Sequence, residues 1–168
     1  MSYTIHRANP GNESIIESIL IDAVHWLNAM EQPLWSEDDV KWNRISKGND
    51  ITEFYIAERE GNPCGCMILK DMDHFFWPDT PEGEALFLHK LAVTNAARKQ
   101  CVSNALIDFA IEEATRRERK SLRLDCHAKR DNLRKFYERN GFKCVGEKVY
   151  NNVYDVPTYF TAFYVRRI

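Results

Sequence analysis

Apolar positions recur with two different periods along the chain, and these periods predict its secondary structure. Residues 3–8 alternate apolar and polar side chains, which is typical of a strand with one buried face. Residues 12–30 place their apolar side chains on one helical stripe, and Ser14 with Glu17 has the spacing of a capping box. Residues 36–46 predict a second helix, because acidic side chains fill its first turn, where the helix dipole favours them. The chain therefore begins with a strand and two helices.

The longest apolar run, residues 85–93, predicts a strand that is buried on both faces. Two shorter apolar runs precede it and are joined by residues 60–63, Glu-Gly-Asn-Pro, whose residue types favour a hairpin turn. Ser103 and Asn104 are residue types that cap helices, and they introduce the amphipathic helix that follows the long strand. The remaining predicted elements are strands at residues 53–59, 64–71, 121–126, 143–150 and 158–166, and a short helix at residues 131–140.

The order of these elements, β-αα-βββ-α-β-α-ββ, predicts an α/β fold with a mixed sheet. The spacing between the strands at residues 85–93 and 121–126 leaves room for one helix, so a parallel, right-handed crossover is expected there. A chain of 168 residues is long enough to bury a core without disulfide or metal staples. We therefore expect a single domain that spans residues 1–168.

The composition of the chain argues against several classes of function. The net charge of -2 and pI near 6.2 give no global attraction for nucleic acid or for an anionic membrane. No apolar run approaches the length of a membrane span and no leader pattern opens the chain, so we expect a soluble cytoplasmic protein. The five cysteines lack the paired spacing of a zinc site, so we expect reduced thiols and no metal.

The segment of residues 84–114 carries the first chemical signal, because a buried strand runs through a short polar loop into a helix. Such a loop presents free backbone N–H groups at the helix N-terminus, where the dipole also favours negative charge. The loop contains Arg98, Lys99 and Gln100. The pattern therefore predicts an anion site, and phosphate is the obvious anion.

Two motifs in this order resemble the GNAT superfamily of acyl-CoA-dependent N-acyltransferases. The first is Leu-Ala-Val at residues 91–93 with Arg98 in the following loop, and the second is NLRKFYERNGF at residues 132–142. The resemblance implies the GNAT fold, a central mixed sheet of about seven strands flanked by about four helices, and acetyl-CoA as co-substrate. In that family the loop follows an Arg/Gln-x-x-Gly-x-Gly/Ala pattern. Cys101 and Ser103 replace its two glycines here.

The resemblance also implies roles for single residues. Backbone amides of the central strand would bind the acyl carbonyl and the pantetheine arm, the loop would bind the pyrophosphate, and a residue of the short helix would contact the pantetheine. On the short helix, Tyr137 would be the acid that protonates the leaving thiolate, while a buried core tyrosine is the alternative. The expected cofactor-binding residues are Leu91, Ala92, Val93, Arg98, Lys99, Gln100, Cys101, Val102, Ser103, Asn104 and Asn132.

The base that would deprotonate the amine has three candidates. His89 lies on the central strand, shares a face with Phe87 and Leu91 by the period of two, and titrates near neutral pH. An isolated histidine on an apolar strand is, however, often a core residue. Glu84 at the start of the strand is the second candidate, and a chain of water molecules is the third.

The acceptor site is predicted from aromatic and acidic residues. Asp73 and Trp77 belong to an acidic, aromatic loop at residues 71–84, which suits a cationic amine or is simply a solvated hairpin tip. Trp26 and Trp35 pack in the core or line the acceptor cleft that the first two helices flank in GNAT proteins.

These residues together predict direct transfer of an acetyl group to the primary amine of a small molecule in a ternary complex. A catalytically weak module that binds CoA, another ligand or a protein partner is the alternative, and a homodimer is possible through the C-terminal strands.

Overall fold

The computed structural model describes residues 2–153 and 156–168, and these residues form seven strands and five α-helices. The strands are β1 (Thr4–Arg7), β2 (Phe54–Arg59), β3 (Asn62–Lys70), β4 (Ala85–Val93), β5 (Ser121–His127), β6 (Lys143–Val153) and β7 (Val156–Arg167). The helices are α1 (Glu13–Ala29), α2 (Glu37–Val40), α3 (Trp42–Ile45), α4 (Val102–Arg116) and α5 (Asp131–Arg139). Short 3-10 turns precede β2 and α4.

The sheet is mixed and has the strand order β1-β2-β3-β4-β5-β7-β6. β1, β2 and β3 pair antiparallel, β4 and β5 pair parallel, and β7 pairs antiparallel with both β5 and β6. The predicted α/β class with a mixed sheet of seven strands is confirmed. β4 has the predicted bounds, because a nearly continuous apolar run, interrupted at His89 and Lys90, suits a central strand.

The chain divides into two compact units, and the single domain over residues 1–168 remains a prediction. The first unit comprises Met1–Leu69 with Lys90–Phe109. Its core forms where the apolar stripe of α1 packs against β2, and the fully buried side chains there include Ile16, Leu20 and Phe54. The predicted amphipathic face of α1 is therefore its buried face.

Two details of the first unit correct the predictions. The expected capping box of Ser14 and Glu17 does not form, because α1 begins at Glu13 and the Glu17 carboxylate accepts the Trp42 amide at 2.6 Å. The predicted second helix is two short helices, since Lys41 has extended dihedrals between them (φ -61, ψ 142). The capping box of this region belongs to α2, where Ser36 and Asp39 bond each other reciprocally.

The hairpin and the start of α4 follow from local backbone geometry. Glu60 and Gly61 both have positive φ, 52 and 76, which is the two-residue turn that matches the twist of β2 and β3. The predicted hairpin is thus correct. α4 begins at Val102, so Ser103 and Asn104 lie in its first turn and not at the cap as predicted.

The second unit comprises Lys70–His89 with Ala110–Ile168. The amino-terminal end of β4 pairs in parallel with β5, and Phe87 lies opposite Arg123. β6 and β7 extend beyond their predicted ends, because the paired backbone continues through polar residues that the apolar pattern does not mark. Among the helices of the described ranges, none is both long enough and apolar enough to cross a membrane.

Candidate active site

The loop between β4 and α4 has the backbone shape of a glycine-containing loop, although it contains no glycine. Cys101 has a φ of 62 and Lys99 a φ of 61, in the left-handed region that glycine adopts most easily. Cys101 occupies the first glycine position of the family pattern. The loop therefore holds two non-glycine residues in a conformation that costs some local strain.

This loop borders a cleft of about 720 Å³ in the first unit. The N-terminal turn of α4 opens onto the cleft, so its backbone amides face a space of ligand size. Most of the residues predicted from the sequence to hold the cofactor line it, and these are Val93, Arg98, Lys99, Cys101, Val102, Ser103 and Asn104.

Arg98 is the charged residue best placed in this cleft. Its guanidinium carbon lies 3.3 Å from the centre of the Trp26 ring, and its Nη2 donates to the Val93 carbonyl at 3.4 Å. Burial lowers the pKa of Arg98, while the Asp22 carboxylate opposes that effect. Its buried Nε has no hydrogen-bond partner among the described residues. Trp26, predicted to line the acceptor cleft, thus supports the arginine of the anion loop.

Gln100, Leu91 and Ala92 do not line the cleft, although the sequence predicts them among the cofactor residues. Gln100 holds the loop instead, because its side-chain oxygen accepts from Arg59 at 2.6 Å and its amide group donates to the Ala96 carbonyl at 3.1 Å. Leu91 and Ala92 are part of β4, where any contribution to ligand binding comes from the backbone.

A local distortion interrupts β4 directly after His89. Lys90, between His89 and Leu91, has a φ of 51, which departs from regular strand geometry. The Lys90 ammonium lies 4.3 Å from the centre of the Trp35 ring. Trp35 is half-buried and also packs against the core of the first unit.

His89 lies between two carboxylates in the second unit. Its Nε2 is 3.3 Å from Asp73 Oδ2, and its Nδ1 is 3.9 Å from Asp125 Oδ1. Burial raises the pKa of Asp73, but His89 and the amides of Phe76 and Phe75 outweigh it and hold that pKa below its ordinary value. His89 is therefore part of a polar cluster and is not an isolated core histidine.

The same three residues each offer a metal-ligand atom, and these atoms lie within 4.8 Å of one another. However, the two carboxylates approach opposite nitrogens of the ring. A metal ion uses only one ring nitrogen of a histidine. The arrangement suits a hydrogen-bonded imidazole better than coordination of one ion.

Asp125 was missed by the sequence prediction, although a signal for it exists. Residues 121–126 alternate, which places Arg123 and Asp125 on one face of β5. The register that sets Phe87 opposite Arg123 then brings Asp125 level with His89, two residues further along both parallel strands. Only the register between the strands, which sequence alone does not give, identifies the pair.

Glu84, the second candidate base, is held in an ion pair. Its Oε1 lies 2.9 Å from the Arg123 Nη2, and Arg123 also donates to Thr80 at 2.8 Å. Because the Arg123 guanidinium already occupies this carboxylate oxygen, His89 is the better placed candidate.

Tyr137 is buried on the inner side of α5, whereas its neighbour Phe136 is only partly buried. Its ring centre lies 5.7 Å from that of Phe142. Burial raises the pKa of Tyr137 well above its ordinary value, and Cys126, Asp125 and Tyr159 raise it further. The phenol therefore stays protonated at neutral pH. Asn132 is exposed in the first turn of α5, and the helix cap is Arg130, so Asn132 does not cap the helix.

The acidic, aromatic loop at residues 71–84 supplies a ring cluster beside the two carboxylates. The Trp77 ring meets the Phe163 ring edge to face at a centroid distance of 5.1 Å and lies 6.3 Å from Phe87. Phe76 and Tyr150 pack together at 5.5 Å. Asp73 and Trp77, both predicted for the acceptor site, are thus part of one arrangement with His89.

Comparisons with known proteins identify the family. The family model for the acetyltransferase (GNAT) domain matches residues 50–144. The curated "Uncharacterized N-acetyltransferase YesJ" from Bacillus subtilis (strain 168) is 26% identical over 144 residues, covering 78% of this chain and 76% of that protein.

Two solved structures share the fold. The GNAT-family acetyltransferase from Listeria monocytogenes 4b F2365 superposes with a TM-score of 0.73 at 22% identity, covering 99% of this chain and 95% of that one. A GNAT-family acetyltransferase from Elizabethkingia anophelis, solved with acetyl-CoA bound, gives a TM-score of 0.67 at 16% identity, with coverage of 99% and 98%. The family-model match spans more than half of the chain, and the chain therefore belongs to the GNAT acetyltransferase family.

Proposed function

We propose that the protein transfers an acetyl group from acetyl-CoA to the primary amine of a small molecule, by direct attack in a ternary complex. The observation that carries this proposal is the loop before α4. It keeps a glycine-like conformation at Cys101 and borders a cleft in which Arg98 faces the helix N-terminus. Family membership and the acetyl-CoA complex of a structural relative support the same reading.

In this proposal the cleft binds the pyrophosphate of the cofactor. Arg98 contributes charge and the uncommitted donor Nε, and the first amides of α4 contribute neutral donors. The backbone amides of Leu91 and Val93 bind the acyl carbonyl and the pantetheine arm, and Asn132 contacts the pantetheine. A volume of about 720 Å³ falls within the range of small-ligand pockets, roughly 300–1,000 Å³.

The chemical step begins with the acceptor as an ammonium ion, the form that predominates for an alkylamine at neutral pH. His89 accepts one proton and leaves a neutral amine, whose lone pair attacks the thioester carbonyl carbon. The carbonyl oxygen gains negative charge, and a backbone amide of β4 near the Lys90 distortion stabilises it. The C–S bond then breaks while Tyr137 donates a hydrogen bond to the departing sulfur. The amide nitrogen still carries one proton too many; it passes that proton to Tyr137 as Tyr137 gives its own to the thiolate, so the phenol is restored. His89 releases its proton to solvent.

The raised pKa of Tyr137 defines what that residue contributes. Because an alkyl thiol has a pKa of about 8.5 and a phenol about 10, proton transfer to the thiolate is uphill even without burial. Burial increases the difference. Tyr137 therefore acts first as a hydrogen-bond donor to the departing sulfur, and it gives up its proton only as the protonated amide nitrogen replaces it, while CoA is still bound.

A covalent cysteine intermediate is the less favourable route. Burial raises the pKa of Cys66 and of Cys126 to about 12, so neither thiol provides a thiolate nucleophile at neutral pH. Cys64 is also buried, and Cys101 lies in the proposed pyrophosphate loop, away from an acyl group. Cys144 is exposed on β6.

The proposal is tested by amine-dependent release of CoA from acetyl-CoA. Chromatography is the suitable detection, because exposed Cys101 and Cys144 would react with thiol reagents. Calorimetric titration with acetyl-CoA is run in parallel. Binding together with amine-dependent release supports the enzyme. Binding without release from any amine would favour the non-catalytic module, and absence of binding would reject both the cleft assignment and the enzyme.

We also propose a cellular location and partners for the protein from this chemistry. Acetyl-CoA is an intracellular metabolite, so we place the enzyme in the cytoplasm. We expect neither a nucleic-acid nor a membrane partner, on the charge balance of the chain. A homodimer through the C-terminal strands stays a prediction.

A further inference from the structure

Gln100, in the loop before α4, is held by its backbone and by its side chain at the same time. Its amide N–H donates to the Ala97 carbonyl at 3.3 Å, and its carbonyl accepts the Tyr3 hydroxyl. Its side-chain oxygen accepts from Arg59 at 2.6 Å, and its side-chain amide donates to the Ala96 carbonyl at 3.1 Å. The backbone and the side chain of this half-buried residue are therefore both committed to hydrogen bonds.

Two of these hydrogen bonds fasten the loop to the sheet of the first unit. Arg59 is the last residue of β2, and Tyr3 directly precedes β1. Because Thr4 lies opposite Glu58 in the antiparallel β1–β2 ladder, one further step along this register brings Tyr3 beside Arg59. Gln100 is 97 residues from Tyr3 and 41 from Arg59 along the chain. We call these two hydrogen bonds the tether of the loop.

The backbone on both sides of Gln100 is left-handed. Lys99 has a φ of 61 and Cys101 a φ of 62. A residue with a Cβ adopts this conformation only at a cost in free energy, so it persists where the surrounding contacts hold it in place. Gln100 lies between the two strained residues, and any rotation of their backbone would displace it from its hydrogen-bond partners. The tether is therefore in the position to maintain the strained shape.

This shape sets the direction in which the chain enters α4. The helix begins at Val102, directly after Cys101, and the Ala105 amide already donates to the Cys101 carbonyl at 3.1 Å. The preceding amides of that turn have no carbonyl partner within the helix, and they border the cleft that Arg98 also lines. If Cys101 left the left-handed region, these amides and the Arg98 guanidinium would no longer converge on one space.

Resting on the proposed function, we infer that Gln100 is a positioning residue of the cofactor site. Its hydrogen bonds hold the left-handed conformation of its two neighbours. That conformation keeps Arg98 and the first amides of α4 arranged for the pyrophosphate before it binds, which reduces the ordering that binding requires. Gln100 does not line the cleft, so it acts on the cofactor only through the loop.

The test removes parts of the tether without changing any charge. Gln100→Leu deletes both side-chain hydrogen bonds at similar volume, and Tyr3→Phe deletes a single hydroxyl group. We expect calorimetric titration to show acetyl-CoA binding about tenfold weaker in Gln100→Leu and about threefold weaker in Tyr3→Phe. Gln32→Leu changes an exposed glutamine that follows α1 and is the matched control. Unchanged affinity in both tether variants, or an equal loss in Gln32→Leu, would overturn the inference.

A second substitution separates positioning from a general loss of structure. In a Cys101→Gly background the left-handed conformation depends less on the tether, because glycine adopts it without steric cost. Gln100→Leu should then weaken acetyl-CoA binding by no more than about threefold, since the two changes act on the same conformation. An equal, tenfold loss in both backgrounds would show that Gln100 does not act through the backbone of Cys101, and it would contradict the inference.

Hydrogen exchange in the ligand-free protein distinguishes failure of this inference from failure of the proposed function. The Arg98 and Ala105 amides donate within the loop and the first turn of α4, and both should exchange faster in Gln100→Leu than in the parent protein. Faster exchange in a protein that does not bind acetyl-CoA would support the tether and reject only the proposed function. Unchanged exchange would reject the tether, even if the parent protein binds acetyl-CoA.

Discussion

The guanidinium of Arg98 stacks on the ring of Trp26, with 3.3 Å between its central carbon and the ring centre. The stack fixes a flexible cation at the edge of the cleft before any ligand binds. A preorganised arginine loses little side-chain entropy when an anion binds. Trp26 therefore belongs to the proposed anion site through its effect on Arg98.

We predict that Arg98→Ala weakens acetyl-CoA binding by about 10-fold to 100-fold, as expected for one charged hydrogen-bond partner of a phosphate. Trp26→Leu should weaken it by less, about threefold to tenfold, because the charge remains but is no longer held in place. Calorimetric titration measures both values. Arg139→Ala removes an exposed charge on α5 and serves as the control. Equal losses in Arg98→Ala and Arg139→Ala would indicate only a general effect of net charge.

Cys101 has a left-handed backbone, which predicts an unusual stabilising substitution. Cys101→Gly should raise the free energy of unfolding by about 0.5–1 kcal/mol, because glycine adopts a φ of 62 without strain. Cys101→Val should lower it, since a β-branched side chain tolerates this region worst. Urea unfolding measures both. Ser103→Gly, in the first turn of α4, is the control and should not stabilise. If Ser103→Gly also stabilised the protein, the stabilisation by Cys101→Gly could not be attributed to its backbone conformation.

Two exposed thiols provide an internal probe of the cofactor cleft. Cys101 lines the cleft, whereas Cys144 lies on β6. Saturating acetyl-CoA should slow alkylation of Cys101 by iodoacetamide at least about tenfold, because the bound ligand covers the thiol. Cys144 should react at an unchanged rate. Mass spectrometry of the labelled peptides gives both rates in one sample, and unchanged labelling of Cys101 would be incompatible with ligand in this cleft.

The proposed base is tested with a histidine from the adjoining loop as its control. His89→Gln should lower kcat/KM by about 100-fold to 10,000-fold, the usual contribution of a general base. His74→Gln changes an exposed histidine and should have no effect. The acetyl-CoA dissociation constant should be the same in both variants. If His89→Gln retained full activity, a chain of water molecules would be the better candidate for the base.

The carboxyl-terminal turn of α4 contains an ion pair whose contribution depends on pH. The hydrogen bond from Arg116 lowers the pKa of Glu113 to about 2, with burial opposing it and Arg117 adding to it. Because the folded pKa lies below the ordinary value of 4.5, this stabilisation is complete above pH 4.5 and is lost as the pH falls towards 2.

Glu113→Gln should therefore lower the free energy of unfolding by about 1 kcal/mol at pH 7, allowing for solvent screening at exposed Arg116. Near pH 2 the variant and the parent protein should be equally stable. Glu112→Gln, an exposed neighbour on the same helix, is the control at both pH values. A loss that is equal at pH 7 and pH 2 would show that Glu113 contributes packing and not charge.

Elements with a strong local pattern were predictable. β4 is a nearly continuous apolar run, and Gly61 readily adopts the positive φ of the turn between β2 and β3. Elements whose ends depend on tertiary contacts could not be predicted. Glu17 forms no capping box, because the Trp42 amide is a competing donor from a distant part of the chain. The polar ends of β6 are strand because β7 supplies backbone partners there.

The residues of the candidate site also divide into those that a local pattern predicts and those that depend on tertiary contacts. Arg98 was a candidate from the sequence because its loop lies between a recognisable strand and helix. Glu84 had the right residue type for a base, but its ion pair with Arg123 forms only in the tertiary structure. The sequence allowed two positions for Trp26, either in the core or in the acceptor cleft. In the structure its ring stacks on the Arg98 guanidinium.

The sequence by itself determined the order of the elements, the mixed α/β class and the aromatic, acidic character of residues 71–84, and it suggested the loop that is proposed to bind an anion. These properties depend on hydrophobic period and residue type, which act over a few neighbours along the chain. Only the tertiary structure decided that Cys101 keeps a left-handed backbone and that Asp73 and Asp125 meet at opposite nitrogens of His89. The reason is that strand register and burial bring together residues that are distant in sequence, and no local pattern encodes them.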